Sequence, residues 1–503
     1  MPAPRLVDDV TEDPIAELEL DDALRPRVAA GVRWGAIDQV SQVIVRFGTT
    51  LVMARLLDPA DFGLFALAMV VGNLAGLVVG VGMSDALIQR RSLQPGHVAT
   101  AYTISAASGL LLAGAIAGGS SVLAAVLGDG DVIPVLLALS VMVLLESIER
   151  TPNDMLVRSL LMREYYLSST IATAVSAAAG LAVAFGGGGV WALVTMALSE
   201  ALVATVLAWV FSMRAGVWRP TMGFHRDRAR SLAGFGAIVT GGRLAGYGQS
   251  NFDNFVVGRV LGAAPLGYYA LAYRTVLLPI VKVSEVIGAT AFAAFSGVQD
   301  DLERLRRGVT QANCYVAMVC LPATVGLSVC APMLVPAVLG DRWRPAIVLV
   351  EVLALGGPAL SFVRLESSLY KALGRPSIGL AMSFGQLALV VPAYLVGAHW
   401  GAKGVAAAVV LVGYATLPVV FVVRSRLLRQ PLREQLLPLL PIVVATAVMT
   451  MAALAVRSAL VDHTSNSLTL AATVLAGALT YGIAMLALER DLLVQALADL
   501  RRT

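Results

Sequence analysis

The sequence predicts an all-α polytopic membrane protein of about 14 transmembrane helices, arranged as two six-helix lobes related by a pseudo-two-fold and followed by two C-terminal helices. Three observations predict it. The 503 residues are 58% hydrophobic and 14% charged, with a mean hydropathy of +0.79, whereas soluble domains sit near about 45–50% apolar and about 25% charged. Apolar segments of about 20 residues, long enough to cross a bilayer core of about 30 Å, follow one another almost without pause. Finally, the stretch from Ala54 to Ala68 recurs 204 positions on, from Gly258 to Ala272, with Arg55/Arg259, Gly63/Gly267 and Ala68/Ala272 in register. In both copies an apolar run ends at an Arg, a short turn follows, and the next apolar run begins. One helical hairpin is duplicated, so the chain has two related halves.

In chain order the spans fall at about 36–56, 62–82, 98–118, 132–149, 167–186, 190–212, 233–257, 266–290, 309–330, 346–369, 377–397, 402–423, 436–456 and 467–488. Residues 1–30 form an acidic cytoplasmic tail: the first 27 carry eight acidic residues and have no apolar core, so they are not a signal peptide. The N-terminal lobe is 31–213, a basic cytoplasmic linker is 214–232, and the C-terminal lobe is 233–430. Residues 431–503 hold helices 13 and 14 and a cytoplasmic tail. Six helices separate the repeat copies, an even number, so the two halves share an orientation and are related by an axis along the membrane normal.

Basic residues orient the chain. With cytoplasmic ends, the inner segments collect clusters such as Arg226, Arg228 and Arg230 or Arg304, Arg306 and Arg307, while the outer loops hold only Arg55, Arg259, Arg342, Arg344, Lys403 and Arg457. That is the positive-inside asymmetry, and it accounts for the basic pI of about 9.0 without a nucleic-acid partner. Arginine far outnumbers lysine, and with abundant Ala and Gly this points to a prokaryote of high-GC genome. Cys314, Cys320 and Cys330 share one helix and read as small apolar packing residues. His97, His225, His399 and His463 read as loop residues. Asp61-Phe62-Gly63 and Asp129-Gly130-Asp131 imitate soluble-enzyme motifs, but the context of neither fits: the first lacks companion loops and the second sits on a tight outer turn. No cofactor motif or metal-ligand spacing appears.

The chemistry lies in the charges placed inside spans. Each costs at least about 2.5–3.5 kcal/mol near the bilayer centre, so each is expected to face a cavity or a partner. Asp38 and Arg46 lie eight residues apart on one side of helix 1; helix 6 carries Glu200; helix 7 carries Arg243 and Asp253; helix 8 carries Arg274, Lys282 and Glu285, the last two spaced i,i+3; helix 10 carries Glu351, Arg364 and Glu366. Arg46, Arg243, Arg274, Lys282 and Arg364 outnumber the nearby carboxylates and would bind an anionic, phosphate-bearing substrate, because guanidinium groups hold phosphate oxygens in a bidentate fork. Asp38, Asp253 and Glu285 are candidates for coupling to an ion. The interior charges are not duplicated: Arg46 aligns with Ser250 and Asp253 with Thr49, so the scaffold is symmetric and its lining is not. Gly72, Gly76 and Gly80 on helix 2 form a small-residue ridge suited to close helix packing, and Pro279, Pro322, Pro358, Pro392 and Pro418 permit kinks.

Trp34-Gly35 at the start of helix 1, the run Ala54-Arg55-Leu56-Leu57-Asp58-Pro59-Ala60-Asp61-Phe62-Gly63, and Ala86-Leu87-Ile88-Gln89-Arg90 closing helix 2 resemble the N-terminal signature of bacterial polysaccharide and O-antigen flippases. The closer likeness is to the polysaccharide transporter branch, and Asp253-Asn254-Phe255-Val256-Val257-Gly258-Arg259 through Gly267-Tyr268-Tyr269-Ala270 is similar to its helix 7–8 signature. The likeness covers most of residues 30–430. It implies membership of the superfamily that includes multidrug extrusion transporters and the lipid II flippase, with two lobes around a central cavity. The implied substrate is a polyprenyl-pyrophosphate-linked oligosaccharide, flipped across the bacterial cytoplasmic membrane for surface polysaccharides such as lipopolysaccharide. A polymerase and glycosyltransferases are the expected protein partners. The protein is then a transporter, not an enzyme. An ion-coupled multidrug exporter of the same fold and, further off, a membrane glycosyltransferase or polymerase are the alternatives. The first calls for an acidic, aromatic-lined cavity, and the second for a sizeable outer domain.

Overall fold

The computed structural model describes residues 24–83, 87–88, 93, 95–299, 301–490 and 492; side chains at 24–28, 81–82, 95, 231–239, 277–287, 289–290, 292–293, 364 and 376 are outside the description. The acidic tail and the last residues of the chain are therefore largely outside the described residues.

Fourteen helices of 20 residues or more run through the described residues: α1 Leu24–Leu56, α2 Pro59–Val78, α3 Pro95–Gly118, α4 Val132–Arg158, α5 Met162–Phe185, α6 Val190–Arg214, α7 Arg226–Leu261, α8 Ala263–Gly297, α9 Leu302–Val338, α10 Ala346–Ala372, α11 Pro376–Gly397, α12 Gly401–Leu428, α13 Leu440–Leu460 and α14 Asn466–Leu488. Each covers most or all of one expected span. Among the described residues, ten segments have the length and apolarity to cross a membrane, and one of these, Ser377–Leu428, contains both α11 and α12. The chain is an all-α, multi-pass integral membrane protein.

Helices α1, α7, α8 and α9 are 33, 36, 35 and 37 residues long. At about 1.5 Å per residue they exceed the bilayer core. Spans read from apolarity stop where polar residues begin, but a helix continues into water as long as its backbone bonds hold. The first turn of α9 shows the local reason: Asp301 caps it, accepting from the Arg304 backbone N–H at 3.1 Å. The helices also run on through Pro152, Pro322, Pro332, Pro336, Pro358, Pro392 and Pro418.

The chain forms two compact units. Unit 1 comprises Met1–Leu57, Ala68–Val126 and Gly130–Leu244; unit 2 comprises Asp58–Leu67, Leu127–Asp129 and Ala245–Thr503. In unit 1, α5 packs on α6, α3 on α4, α4 on α6 and α1 on α5. Unit 2 repeats three of these pairings one half later, α11 on α12, α9 on α10 and α10 on α12. It adds α13 and α14, which pack on each other and on α9. The seam of that addition is apolar: Cys314, Ala317, Phe362, Ile442, Ala445 and Met485 form one buried cluster, and the Tyr481 hydroxyl donates to the Met318 carbonyl at 2.8 Å. Cys314, Cys320 and Cys330 are all buried along α9.

Within unit 2 the duplicated hairpins meet. A Cβ on Gly63 would stand 1.7 Å from the Ala263 carbonyl oxygen, and one on Gly267 would stand 1.8 Å from that of Pro59. Gly63 and Gly267 are repeat partners, and so are Pro59 and Ala263, so the crossing of α2 and α8 is reciprocal. The approach of backbone to backbone is here, whereas along the expected ridge the glycines meet side chains. Cβ atoms on Gly72 and Gly76 would meet side-chain ends of Met142, Leu139 and Glu146 at 3.3 Å or more, and one on Gly80, which lies on a 3-10 turn with φ +70°, would stand 2.7 Å from Ser105 Oγ. Trp343, fully buried, packs edge-on against Phe62 at 5.3 Å and Tyr268 at 5.7 Å beside this crossing. His97 sits in the first turn of α3 and His399 on a 3-10 turn; neither is in a loop as expected, though both are at helix ends.

Candidate functional site

Each unit contains a polar cavity built from the same five helices of its half. In unit 1 the walls come from α1, α2, α4, α5 and α6, around about 360 Å³. In unit 2 they come from the counterparts α7, α8, α10, α11 and α12, around about 450 Å³. Repeat partners Arg46 and Ser250 line one cavity each. The scaffold thus places equivalent positions at equivalent walls, and the side chains diverge.

In unit 1, Arg46 on α1 pairs with Glu200 on α6, Nη2 to Oε1, at 2.5 Å. Glu146 and Glu149 on α4 share the lining, so one cation faces three carboxylates among the described lining residues. Asn153, one turn beyond Glu149, donates to it at 2.6 Å. Asp38 is buried and stands on the same side of α1 as Arg46. It accepts from Thr170 Oγ1 at 2.7 Å and Gln42 Nε2 at 2.9 Å, and Gln42 also donates to Ser169 on the cavity wall at 2.8 Å. Arg150 is drawn to the Gly76 carbonyl at 2.9 Å. Such an interior, with excess negative charge, attracts cations.

The unit 2 cavity is different. Its polar lining is made of Gln249, Ser250, Ser367 and Gln386, with the rings of Tyr273 and Tyr394, and none of the described lining residues is charged. Gln249 Nε2 donates to Gln386 Oε1 across it. Behind the wall, Asp253 is 2% exposed and accepts from the Tyr269 hydroxyl at 2.7 Å and from the Asn254 backbone N–H at 2.8 Å. Tyr269 stacks on Tyr273 at 5.9 Å.

Of the other expected site residues, Arg243 and Arg274 are exposed on α7 and α8. Lys282, Glu285 and Arg364 lie outside the described side chains. Glu366 has a packing partner that the sequence did not suggest. It is buried against Arg424 of α12 at 2.9 Å, both side chains 3% exposed, and Gln435 accepts from Arg424 Nε at 2.7 Å. Glu146 and Glu149 were missed, although the spacing 146, 149, 153 puts three polar side chains on one stripe of an apolar helix, a signal available in the sequence. Gln249 and Gln386 carry no charge, so neither stands out in its helix as an ionised group would.

The model of a family described as "polysaccharide biosynthesis protein" matches residues 52–348, more than half of the chain. The chain belongs to the polysaccharide biosynthesis protein family. Within reach of this family, the chain is 28% identical over 396 residues to the lipopolysaccharide biosynthesis protein WzxC of Escherichia coli K12, covering 78% of this chain and 79% of the relative. It is 24% identical over 374 residues to the teichuronic acid biosynthesis protein TuaB of Bacillus subtilis 168, covering 73% and 76%. With the succinoglycan biosynthesis transport protein ExoT of Rhizobium meliloti 1021 it shares 24% over 328 residues, covering 65% and 66%. Among solved structures, the lipid II flippase MurJ in an inward closed conformation superposes with a TM-score of 0.73 at 15% identity, over 92% of this chain and 100% of that one. An inward-facing multidrug resistance MATE transporter gives 0.61 at 16% identity, over 77% and 96%. This family member therefore shares the fold of both transporters.

Proposed function

We propose that the protein is a flippase that moves polyprenyl-pyrophosphate-linked oligosaccharide across the bacterial cytoplasmic membrane for cell-surface polysaccharide biosynthesis. The observation that carries this reading is the family match over residues 52–348. It is supported by relatives named for lipopolysaccharide, teichuronic acid and succinoglycan biosynthesis, and by the fold shared with a lipid II flippase. The charge count alone would not have decided against a drug exporter, since unit 1 has an acidic lining and unit 2 an aromatic one; the family does.

In this reading Arg243 and Arg274, exposed on α7 and α8, meet the pyrophosphate first, with Lys282 and Arg364 as further cations. Arg46 reaches it only by exchanging Glu200 for phosphate oxygens, a swap between two anionic partners of one guanidinium. Asp38 and Asp253 take up the coupling proton or cation. Both termini are cytoplasmic, and a polymerase and glycosyltransferases supply and consume the substrate.

The test is the lipid fraction of a deletion strain, analysed by mass spectrometry for polyprenyl-linked oligosaccharides with and without the gene restored. Accumulation of the complete repeat unit on its carrier, with loss of surface glycan, is expected. Unchanged lipid-linked pools together with altered drug sensitivity would sink the flippase reading in favour of the exporter.

A further inference from the structure

The unit 2 cavity has a lining unlike the charged one in unit 1, although the same five helices of the repeat build both. Its volume, about 450 Å³, falls in the ~300–1,000 Å³ range of small-molecule sites. We propose that this cavity is a sugar-ring subsite, in which a pyranose of the glycan lies against Tyr273 and Tyr394 and is hydrogen-bonded by Gln249, Gln386 and Ser367. The inference rests on the flippase reading and names the part of the substrate that this site takes.

The chemistry selects the ligand. A pyranose has an apolar C–H face that packs on an aromatic ring, and a rim of hydroxyls, each a donor and an acceptor at once. Amide and hydroxyl side chains match that rim because they too offer both roles, which carboxylates and guanidiniums do not. Gln249 and Gln386 are held by each other, so their remaining donor and acceptor positions keep a fixed direction. Tyr273 is braced by stacking on Tyr269, and Phe252 stacks on Tyr394 at 6.5 Å. Rings fixed in this way bind without losing much rotamer freedom.

The other parts of the substrate fit less well. Pyrophosphate taken from water into a cavity whose described lining is neutral would lose its hydration without an opposite charge. A polyprenyl chain gains nothing from four amide and hydroxyl side chains, whose remaining donor and acceptor positions it would bury unpaired. A lipophilic drug cation finds aromatic rings here but no carboxylate among the described lining residues. Asp253 stands behind the wall, committed to Tyr269 and the Asn254 N–H.

The experiment uses the full-length protein in membrane vesicles, carrying Ser250→Cys, and follows the rate at which a maleimide labels that cysteine. Ser250 is exposed and lines the cavity, so the label reports occupancy. The probes are the oligosaccharide released by mild acid from the cell's own lipid-linked pool, a panel of methyl glycosides, and inorganic pyrophosphate. Labelling should slow by about tenfold when the glycan is present at about ten times its Kd, and pyrophosphate should leave the rate unchanged. Adding Gln386→Ala should abolish the protection while the variant still labels, which shows that the cavity persists. Protection by pyrophosphate alone would overturn the proposal, as would no protection by any sugar in a Ser250→Cys protein that restores surface glycan to the deletion strain. That last result would leave the flippase reading intact. Conversely, sugar protection in a strain whose lipid-linked pools never change would uphold the subsite and remove the flippase.

Discussion

Gly63 and Gly267 stand at one helix crossing, each against the backbone carbonyl of the residue that opens the other's helix, Ala263 and Pro59 respectively. The two glycines are the same position of a duplicated hairpin, so duplication made both surfaces of this contact at once. A side chain at either glycine would overlap backbone, which cannot swing aside as a side-chain end can.

Gly63→Ala or Gly267→Ala should therefore destabilise the protein by about 3 kcal/mol, the upper end of the overpacking range, or prevent its accumulation. Gly72→Ala, whose Cβ would lie 3.4 Å from the end of Met142, should stay within about 0.5 kcal/mol of wild type. Thermal unfolding of the purified proteins in detergent, alongside membrane expression level, separates the two. Equal losses for Gly63 and Gly72 would disprove the crossing.

The buried pair Glu366–Arg424 has the opposite character and should tolerate loss of both partners better than loss of one. Arg424→Met leaves a carboxylate at 3% exposure without its cation and should cost about 3–5 kcal/mol. The double variant Glu366→Met/Arg424→Met should recover most of that loss. A double variant no more stable than the single one would show that the pair does not act as a unit.

Arg46–Glu200 is half exposed, so its contribution to stability should be small, below about 1 kcal/mol. Glu200→Gln should leave the melting temperature nearly unchanged while altering transport, because it changes what Arg46 is free to bind. The reversal Arg46→Glu/Glu200→Arg should keep the melting temperature without restoring surface glycan. Restored export in the reversed pair would mean that only the bridge, and not the position of the cation, matters.

Asp253 carries the proposed coupling in unit 2. Export by Asp253→Asn should lose the wild-type dependence on ion gradients, read as glycan export in cells or vesicles under imposed proton or sodium gradients. Tyr269→Phe removes the 2.7 Å hydrogen bond to the carboxylate and should cost about 1.5–3 kcal/mol in stability while retaining the dependence. Unaltered gradient dependence in Asp253→Asn excludes this residue from coupling.

Orientation is testable by labelling. Thr464→Cys, exposed in the α13–α14 turn, should react with a membrane-impermeant maleimide added to intact spheroplasts. Ala215→Cys, exposed after α6, should react only once the membrane is opened. The reverse pattern would invert the topology.

The sequence by itself determined the solvent, the fourteen helices and the duplication, because each is written locally. A 20-residue apolar run needs no partner to be recognised, and Arg55/Arg259 or Gly63/Gly267 match by register alone. It also located Asp38, Arg46, Glu200 and Asp253 as interior polar groups, since a charge in an apolar run stands out wherever the helix packs. What it did not carry was which residues face one another. Glu366 finds Arg424 fifty-eight positions away, and Gln249 finds Gln386 across 137. Helix faces were equally silent. In a soluble protein the outer face is polar and announces the inner one, but in lipid both are apolar: Leu479 and Ile483 on α14 are 65% and 66% exposed, while Met485 two positions on is fully buried. With no amphipathic contrast to read, only the tertiary structure could decide that one framework of five helices encloses glutamates in the first half and tyrosines and amides in the second.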